Sequence, residues 1–392
     1  MGWYYSGKGK IMIKILYVNT LNLGVAYWRI ENYAEQMVRM KASATVNVEY
    51  FEDILPLHVS WPSMCVGYGE ISDKIQRKLR SAFKFFDIII FQRFHSLAAI
   101  ALIEEFKREF PKVKTVAEID DSLGEVSPSS PYTWTDQHRW SAEHLYRSDA
   151  VICSTEYLAK SIRPVLTSGT PLHVGEKPLH IAPNCINRGT WKVDKKKLSH
   201  DGIRIGYVGG GAHDDDLRIA YRALLPLLNK NIEVKFIIRY GGYRPSFLKK
   251  HPQIDFKSVN WNMTEYPQQL YDMDLDLALA PLCDSEFNRC KSNLKWIEWS
   301  SLDVPLLASD VEPYRKTKGG IWLVDNSIKS WRNAFTEFIS DNDLGIGGGL
   351  KSHLETKSQP NKSKMKLSKQ CITYYSLHTE TRKLLYFLKS LL

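Results

Sequence analysis

Short apolar runs of strand length alternate with longer helical segments along most of the chain, and this alternation is what most constrains the fold. In the first half, strands are predicted at residues 13–19, 46–51, 87–92, 115–120, 150–154 and 180–183. The helices predicted between them are residues 28–40, 71–83, 97–110, 135–147 and 155–162. Near-continuous apolar strands that alternate with helices are typical of a parallel, doubly wound sheet covered on both faces.

A polar stretch, residues 187–202, separates this half from a second half with the same rhythm. We interpret residues 191–202 as a linker because the stretch shows no clear period. Further strands are predicted at residues 203–208, 234–239, 254–259, 275–282, 304–308 and 321–324. The sequence therefore predicts an α/β protein with two Rossmann-like, doubly wound domains, residues 1–190 and 203–365. The cleft that these domains face is the expected place for a ligand.

The positive net charge of the chain indicates partners that carry phosphate groups, but it does not identify which class of partner. Its 392 residues carry a formal net charge of +10, and a basic protein attracts phosphate groups of any kind. Nucleotide sugars, anionic membrane surfaces and nucleic acids all remain open on this ground. No zinc, helix-turn-helix or RNP signature supports nucleic-acid binding, and no G-x-G-x-x-G fingerprint supports a nicotinamide enzyme.

Other features of the composition favour a cytoplasmic protein. We find no secretory signal and no apolar run long enough to span a bilayer. The six cysteines show no paired metal-ligand spacing, which favours reduced and partly buried thiols. We infer no stable protein partner from the sequence.

Residues 274–309 carry the most informative functional pattern. They predict a buried strand, a polar loop, a helix that contains Glu298, and a second buried strand. In such sheets, ligands bind beyond the carboxyl ends of the strands, where helices begin. Amide groups at a helix start bind phosphate, and a carboxylate one or two turns later suits a ribose diol. The segment therefore predicts a nucleotide site, with Lys291, Ser292 and Glu298 as candidate binding residues.

This segment resembles the donor-binding segment of GT-B glycosyltransferases, in particular the retaining group-1 enzymes of the large family four. The matching features are Glu298, a small-residue turn, and the strand that begins with Val304 and Pro305. The resemblance implies that Glu298 holds the ribose hydroxyls of a nucleotide sugar. The family usually has another glutamate eight positions earlier, where this chain has Cys290.

The same resemblance implies the rest of the architecture and the reaction. A C-terminal helix, within residues 366–392, is expected to cross back onto the first domain. The donor would be a nucleotide sugar, and the acceptor a hydroxyl of a glycan, lipid, protein or DNA. The family retains the anomeric configuration and requires neither a metal nor a separate cofactor. An Asp-x-Asp spacing does occur in residues 272–276, but at a predicted helix-to-strand junction.

Two glycine-containing turns are candidate phosphate-binding loops. The family places a glycine loop near the donor diphosphate and acceptor, and Gly24 stands at that point after the first strand. Gly209, Gly210 and Gly211 follow the strand that opens the second domain, and we expect them to allow positive φ and expose backbone amides. The basic pair that follows this turn in many family members is missing. His213 is therefore the local phosphate candidate, with helix capping as the alternative.

Cations elsewhere must then meet the diphosphate charge. Arg239 at a strand end and Lys291 beside the helix of Glu298 are the candidates, because guanidinium and ammonium groups there are well placed for phosphate. We favour Lys291 over Lys295, since Lys295 is one turn before Glu298 and could form an ordinary surface contact with it. Arg29 could contact the ligand or lie on a solvated face.

An acid pair stands at a strand end of the first domain. Asp120 and Asp121 could act as general base, hold sugar hydroxyls, bind a metal or cap a helix. Retaining family members often carry a histidine where this chain has Asp120, so His138 in the next helix is a further catalytic candidate. Asn184 could order the hinge or contact the acceptor.

We therefore predict a glycosyltransferase that moves a sugar from a nucleotide-sugar donor to a hydroxyl acceptor, with retention and without a metal. A nucleotide-sugar 2-epimerase of the same fold is one alternative. A basic protein that binds nucleic acid or modifies DNA is the other, and a peripheral contact with an anionic membrane surface also stays open.

Overall fold

The computed structural model describes residues 13–19, 24–40, 44–50, 73–92, 97–122, 136–167, 177–194, 200–230, 233–317, 319–343 and 367–392. In these ranges the chain forms two parallel sheets with flanking helices, one on each side of the predicted linker 191–202. The predicted pair of doubly wound units is confirmed.

The first sheet contains strands β1 (Ile13–Asn19), β2 (Ala44–Tyr50), β3 (Ile88–Gln92), β4 (Lys114–Ile119), β5 (Ala150–Cys153) and β6 (Leu179–Ile181). They pair in parallel in the order β2-β1-β3-β4-β5-β6. Its helical segments are α1 (Gly24–Ala26), a π-helical turn (Tyr27–Glu31), α2 (Asn32–Arg39), α3 (Asp73–Phe85), α4 (Leu97–Glu109), α5 (Asp136–Arg147) and α6 (Glu156–Thr167).

The second sheet contains β7 (Ile203–Gly210), β8 (Val234–Gly241), β9 (Ile254–Ser258), β10 (Leu277–Ala280), β11 (Leu306–Ser309) and β12 (Ile321–Val324). They also pair in parallel, in the order β12-β11-β10-β7-β8-β9. A 3₁₀ turn (Gly211–His213) precedes α7 (Asp214–Leu228), and the other helices are α8 (Tyr266–Tyr271), α9 (Glu286–Arg289), α10 (Leu294–Ser301), α11 (Glu312–Arg315) and α12 (Ile328–Asp343).

Both faces of each sheet are covered by apolar side chains, which explains the near-continuous apolar strands in the sequence. In the second sheet, α7 and α12 pack on one face around Trp331 and Phe335. The helices α8 and α10 pack on the other face around Tyr266 and Trp296. Because the strands are parallel, their carboxyl ends lie at one edge of the sheet, and ligands bind at that edge in this kind of fold.

The C-terminal residues form two helices, α13 (Leu367–Tyr374) and α14 (Leu377–Lys389), where one helix is predicted within residues 366–392. The break has a local cause, because Ser376 caps α14 by accepting a hydrogen bond from the amide of Thr379 at 3.3 Å. The apolar face of α14 joins the core of the first sheet through Leu377, Leu384, Leu385 and Leu388. The predicted crossing back to the first domain is thus confirmed.

None of the described helices combines the length and the apolarity that crossing a bilayer requires. The glycine, serine and lysine content of residues 345–369 predicts a loop. Its positions up to 366 lie outside the described residues, whereas residues 367–369 begin α13.

Candidate functional site

The glycine turn lies at the carboxyl end of β7, as predicted, but its glycines have another purpose. The prediction of positive φ was wrong, because the positive-φ glycines of the described chain lie elsewhere and Gly210 is extended with a φ of −143°. Close packing accounts for Gly209, since a Cβ there would lie 2.3 Å from the hydroxyl oxygen of Tyr207. At Gly210 the nearest atom to an added Cβ would be a carbonyl oxygen 3.8 Å away.

The acidic first turn of α7 is tied to its surroundings. Asp214 accepts a hydrogen bond from the hydroxyl of Tyr240. Asp216 is 2% exposed; it accepts a hydrogen bond from the amide of Cys283 at 2.6 Å and is bonded to Nδ1 of His213 at 2.7 Å. His213 occupies the N-cap position of α7, but its side chain makes no capping hydrogen bond and is held instead by the buried carboxylate of Asp216. The capping alternative is therefore wrong, and phosphate binding by His213 stays a prediction.

A cation and a carboxylate lie together beside the glycine turn. The ammonium group of Lys295 donates a hydrogen bond to the carbonyl of Val208 and lies 5.0 Å from the ring centre of Tyr207. Glu298 is 5% exposed, and burial raises its pKa to about 7, although Lys295 and a hydrogen bond from Tyr266 favour its charged form. Burial lowers the pKa of Lys295, against the attraction of Glu298.

Lys291 and Lys295 lie at different places from those that the sequence predicts. Lys291 reaches across to the first sheet and pairs with the carboxylate of Asp121, and its ammonium group lies 4.2 Å from the ring centre of Phe287. The interpretation of Lys295 as an ordinary surface contact with Glu298 is wrong, because its side chain is half-buried and its ammonium group donates to the carbonyl of Val208. The lysine beside the glycine turn is therefore Lys295.

Arg239 is engaged within its own sheet. Its guanidinium donates to the carboxylate of Asp255 at 3.0 Å and to the carbonyl of Ile238 at 3.0 Å. It lines an open pocket of about 590 Å³ beside α8 with Lys257, Gln268 and other polar side chains. The structure thus brings Arg239 to the β8–β9 edge and gives it a carboxylate partner there.

Gly24 lies where the two units meet. A Cβ added at Gly24 would lie 3.6 Å from the sulfur of Met263, a residue of the second unit. Next to it, the ring of Trp28 lies 5.3 Å from that of Trp191, which in turn lies 6.1 Å from that of Tyr266. Because Tyr266 hydrogen-bonds Glu298, the first-domain glycine and the predicted ribose-binding carboxylate belong to one neighbourhood.

The predicted acids also lie at the junction. Asp120 and Asp121 directly follow β4, and Asp121 bonds to Lys291 of the second unit. Ser292 accepts a hydrogen bond from the amide group of Asn184 at 2.8 Å. His138 lies in α5, and its side chain lies outside the described part of the structure.

Arg29 does not lie on a solvated face. Its side chain is buried, and its Nε donates a hydrogen bond to Glu118 at 2.7 Å. Sequence reasoning named Arg29 but missed Glu118, because an acid inside a predicted strand gives no sign of which cation it meets.

Comparisons with known proteins show a similar fold without a similar sequence. No protein-family model matches the chain, and no curated protein is detectably similar to it in sequence. A structure of TarM matches with a TM-score of 0.53 at 15% identity over 83% of this chain and 57% of TarM. The chain thus spans little more than half the length of TarM.

Two other solved structures match over nearly their whole length. The UDP-GlcNAc 2-epimerase from Neisseria meningitidis, bound to UDP-GlcNAc, has a TM-score of 0.51 at 12% identity over 96% of this chain and 100% of that protein. A UDP-forming α,α-trehalose-phosphate synthase from Burkholderia vietnamiensis has a TM-score of 0.60 at 10% identity over 96% and 100%.

At these identities the similarity concerns the fold alone. Glycosyltransferases and epimerases share this architecture of two Rossmann-like units, so the predicted GT-B fold is confirmed.

Proposed function

We propose that the protein uses a nucleotide sugar and transfers its glycosyl group to a hydroxyl acceptor. The observation that carries the proposal is the contact of Lys295 with the carbonyl of Val208 beside the glycine turn, with the buried carboxylate of Glu298 one turn later on the same helix and near enough to influence the pKa of Lys295. Doubly wound sheets bind phosphorylated ligands at this edge. A buried carboxylate with a raised pKa and a charged neighbour is also more common at functional sites than elsewhere.

The donor would lie along the turn with its diphosphate towards the second sheet. The amides of Gly209, Gly210 and Gly211, together with Lys295, would meet the phosphate charge, and Glu298 would accept hydrogen bonds from the ribose. Trp261 is 42% exposed and offers a face on which a base could stack. Because UDP-sugar ligands occur in the structures of similar fold, uridine diphosphate sugars are the first donors to test.

The reaction breaks the bond between the anomeric carbon and the diphosphate oxygen, and negative charge develops on that oxygen. Lys295 and the turn amides would stabilise this charge, which is usually the largest contribution to catalysis. Asp120 or Asp121, on the opposite unit, would take the proton of the acceptor hydroxyl. Retention of configuration and independence of metals are parts of the proposal that follow the family resemblance, and a cytoplasmic location is a part that follows the composition.

The test is a thermal-shift panel of nucleoside diphosphates and nucleotide sugars, with inorganic pyrophosphate at matched ionic strength as the control. A ligand at a hundred times its dissociation constant stabilises the folded state by about 2.7 kcal/mol. We expect one nucleoside diphosphate and its sugars to raise the melting temperature more than pyrophosphate does. If no compound exceeds pyrophosphate, the proposal fails.

A nucleotide-sugar 2-epimerase is the second candidate, favoured by the full-length similarity to the Neisseria protein. Incubation with the donor alone separates the two reactions. An epimerase converts the donor into its C2 epimer, whereas a transferase leaves the C2 configuration unchanged and requires an acceptor for transfer.

A further inference from the structure

Arg29 is buried in the π-helical turn after β1, and three groups of the first unit hold its guanidinium. Nε donates to Oε1 of Glu118 at 2.7 Å, and Nη1 donates to the carbonyl of Ala182 at 2.6 Å and to Oδ1 of Asn184 at 3.0 Å. Both partners of the Arg29–Glu118 pair are almost fully buried. Because desolvation offsets much of the attraction in such a pair, stability alone is a weak reason to keep it.

This contact fixes the orientation of the Asn184 amide. An arginine has only donors, so the oxygen of the amide must face Arg29 and its NH₂ group must point the other way. That NH₂ group donates to Oγ of Ser292 at 2.8 Å, in the second unit. Arg29 thus decides which group the first domain presents to Ser292, although the two residues are linked only through Asn184.

Ser292 is one of three consecutive residues that contact the first unit. Thr155 donates to the carbonyl of residue 290 at 3.1 Å, Asp121 pairs with Lys291, and Asn184 donates to Ser292. The three first-domain groups follow β4, β5 and β6, which are neighbours in the first sheet. Residues 290–292 therefore lie against the carboxyl edge of that sheet, immediately before the helix that carries Lys295 and Glu298.

We propose that Arg29 is a positioning residue that, through Asn184, aligns residues 290–292 and the helix behind them with the acid edge of the first sheet. The assignment of a donor side and an acceptor side rests on the proposed function. The alignment itself does not, because it concerns contacts between the two units.

Hydrogen exchange of the backbone amides tests the alignment without any ligand. The full-length protein is compared with Asn184→Leu, with Arg29→Lys, and with the charge-free double variant Arg29→Met/Glu118→Leu, which leaves no unpaired buried charge. Lysine keeps the charge of Arg29, but its single ammonium group does not reproduce the planar fork that reaches Glu118, Ala182 and Asn184. We expect each variant to speed exchange in peptides that cover 286–293 by about three- to tenfold, as for the loss of one hydrogen bond.

Two further variants separate alignment from a general loss of structure. Ser292→Ala should speed exchange in the same peptides, and Ser292→Thr, which keeps the hydroxyl, should restore protection. Lys316→Ala is the matched control, because it removes an exposed contact between the units, the pair with Glu156. It should leave exchange at 286–293 unchanged.

The decisive result is the combination of an Arg29 variant with Ser292→Ala. If Arg29 acts through Asn184 on Ser292, the combined variant exchanges no faster at 286–293 than Ser292→Ala alone. Multiplying effects, or normal protection in Arg29→Lys and Asn184→Leu, would overturn the proposal. Should the double variant fail to fold, Arg29→Lys with Ser292→Ala gives the same test. A negative thermal-shift panel would refute the nucleotide site and leave this measurement intact.

Discussion

The buried position of Glu298 disfavours the charged form of its carboxyl group. Burial raises its pKa to about 7, although Lys295 and Tyr266 favour the carboxylate. A folded protein gains little from burying a carboxylate and an ammonium group compared with apolar side chains of similar size. The position of Glu298 at the carboxyl edge of a sheet, beside a glycine turn, fits a carboxylate that binds the hydroxyl groups of a phosphate-bearing ligand.

Glu298 could be predicted as a binding residue from the sequence, but its neighbours Lys295 and Tyr266 could not. A carboxylate in the helix after a buried strand is a local pattern, and it was recognisable. The roles of Lys295 and Tyr266 depend on which side of α10 faces β7 and α8, and that is decided by packing between distant parts of the chain. Lys295 also has the spacing of an ordinary surface ion pair with Glu298, so its half-buried position against Val208 could not be predicted.

We expect Glu298→Gln to weaken binding of the nucleoside diphosphate found in the thermal-shift panel by about 1.5–3 kcal/mol, the range for a lost hydrogen bond to a charged group. Titration calorimetry measures the change, with Glu312→Gln as a control carboxamide in the same unit. Equal affinities for the wild type and Glu298→Gln would remove Glu298 from the site.

The raised pKa of Glu298 also predicts a pH dependence of stability. The folded state binds the proton more tightly than the unfolded state, whose value is 4.5, so the contribution of Glu298 is fully present below pH 4.5 and is lost as the pH rises through about 7. The stability of the wild type relative to Glu298→Gln should fall by about 3 kcal/mol across this window. Urea unfolding at several pH values measures it, and parallel profiles would contradict the shift.

At the scale of elements, the position of the glycine turn after β7 was predicted correctly, whereas its backbone conformation was not. Parallel strands bring their carboxyl ends to one edge, so the position of the turn after β7 could be predicted from the order of strands and helices. The conformation could not, because a glycine is required equally by positive φ and by a neighbouring side chain that leaves no space for Cβ. At Gly209 the neighbour is the ring of Tyr207, two residues earlier on the same strand.

The pair Gly209→Ala and Gly210→Ala separates packing from binding. A Cβ at position 209 would lie 2.3 Å from the Tyr207 hydroxyl oxygen, so this variant should lose about 1–3 kcal/mol of stability through overpacking. A Cβ at position 210 meets nothing closer than 3.8 Å, and the extended backbone suits alanine, so its melting temperature should hold.

Nucleotide affinity should be lowered by Gly210→Ala, the variant that is expected to keep its stability. If the ligand approaches the turn amides, the methyl group of Gly210→Ala should weaken binding by about 1.5–3 kcal/mol, the value of a hydrogen bond to a charged group. Normal affinity in Gly210→Ala would show that the diphosphate does not approach this amide.

At the scale of the whole molecule, the two units meet along the carboxyl edges of their sheets and are joined again by the C-terminal helices. The alternation of elements was enough to predict both sheets, and the crossing of the last helix was predicted from the family resemblance. It could not give the contacts of residues 290–292, since these depend on how two separately folded sheets face each other. A pairing such as Asp121 with Lys291 spans 170 positions and leaves no periodic trace in the sequence.

The acid edge of the first sheet should govern turnover more than donor binding. Asp120→Asn and Asp121→Asn should bind the donor almost normally, whereas loss of the general base lowers transfer by about 100-fold or more. Donor affinity and transfer rate are measured for each variant, with Asp310→Asn, which removes an exposed pair with Arg315, as the control. A lower melting temperature with normal transfer would indicate capping, and full transfer in both variants would make His138 the next candidate.

The crossing helix α14 should be part of the first core and not an appendage. Leu388 is fully buried among residues of the first sheet and α2, whereas Leu392 at the chain end is 56% exposed. Truncation of a fully buried leucine removes its transfer free energy and leaves a cavity, so Leu388→Ala should cost about 2–5 kcal/mol. Leu392→Ala, with the same change in chemistry, should stay within about 0.5 kcal/mol of the wild type. Urea unfolding gives these values, and hydrogen exchange locates the loss, which should fall on α2 and β1 and spare the second sheet. Equal stability of the two variants would mean that the helix does not pack on the first domain in solution.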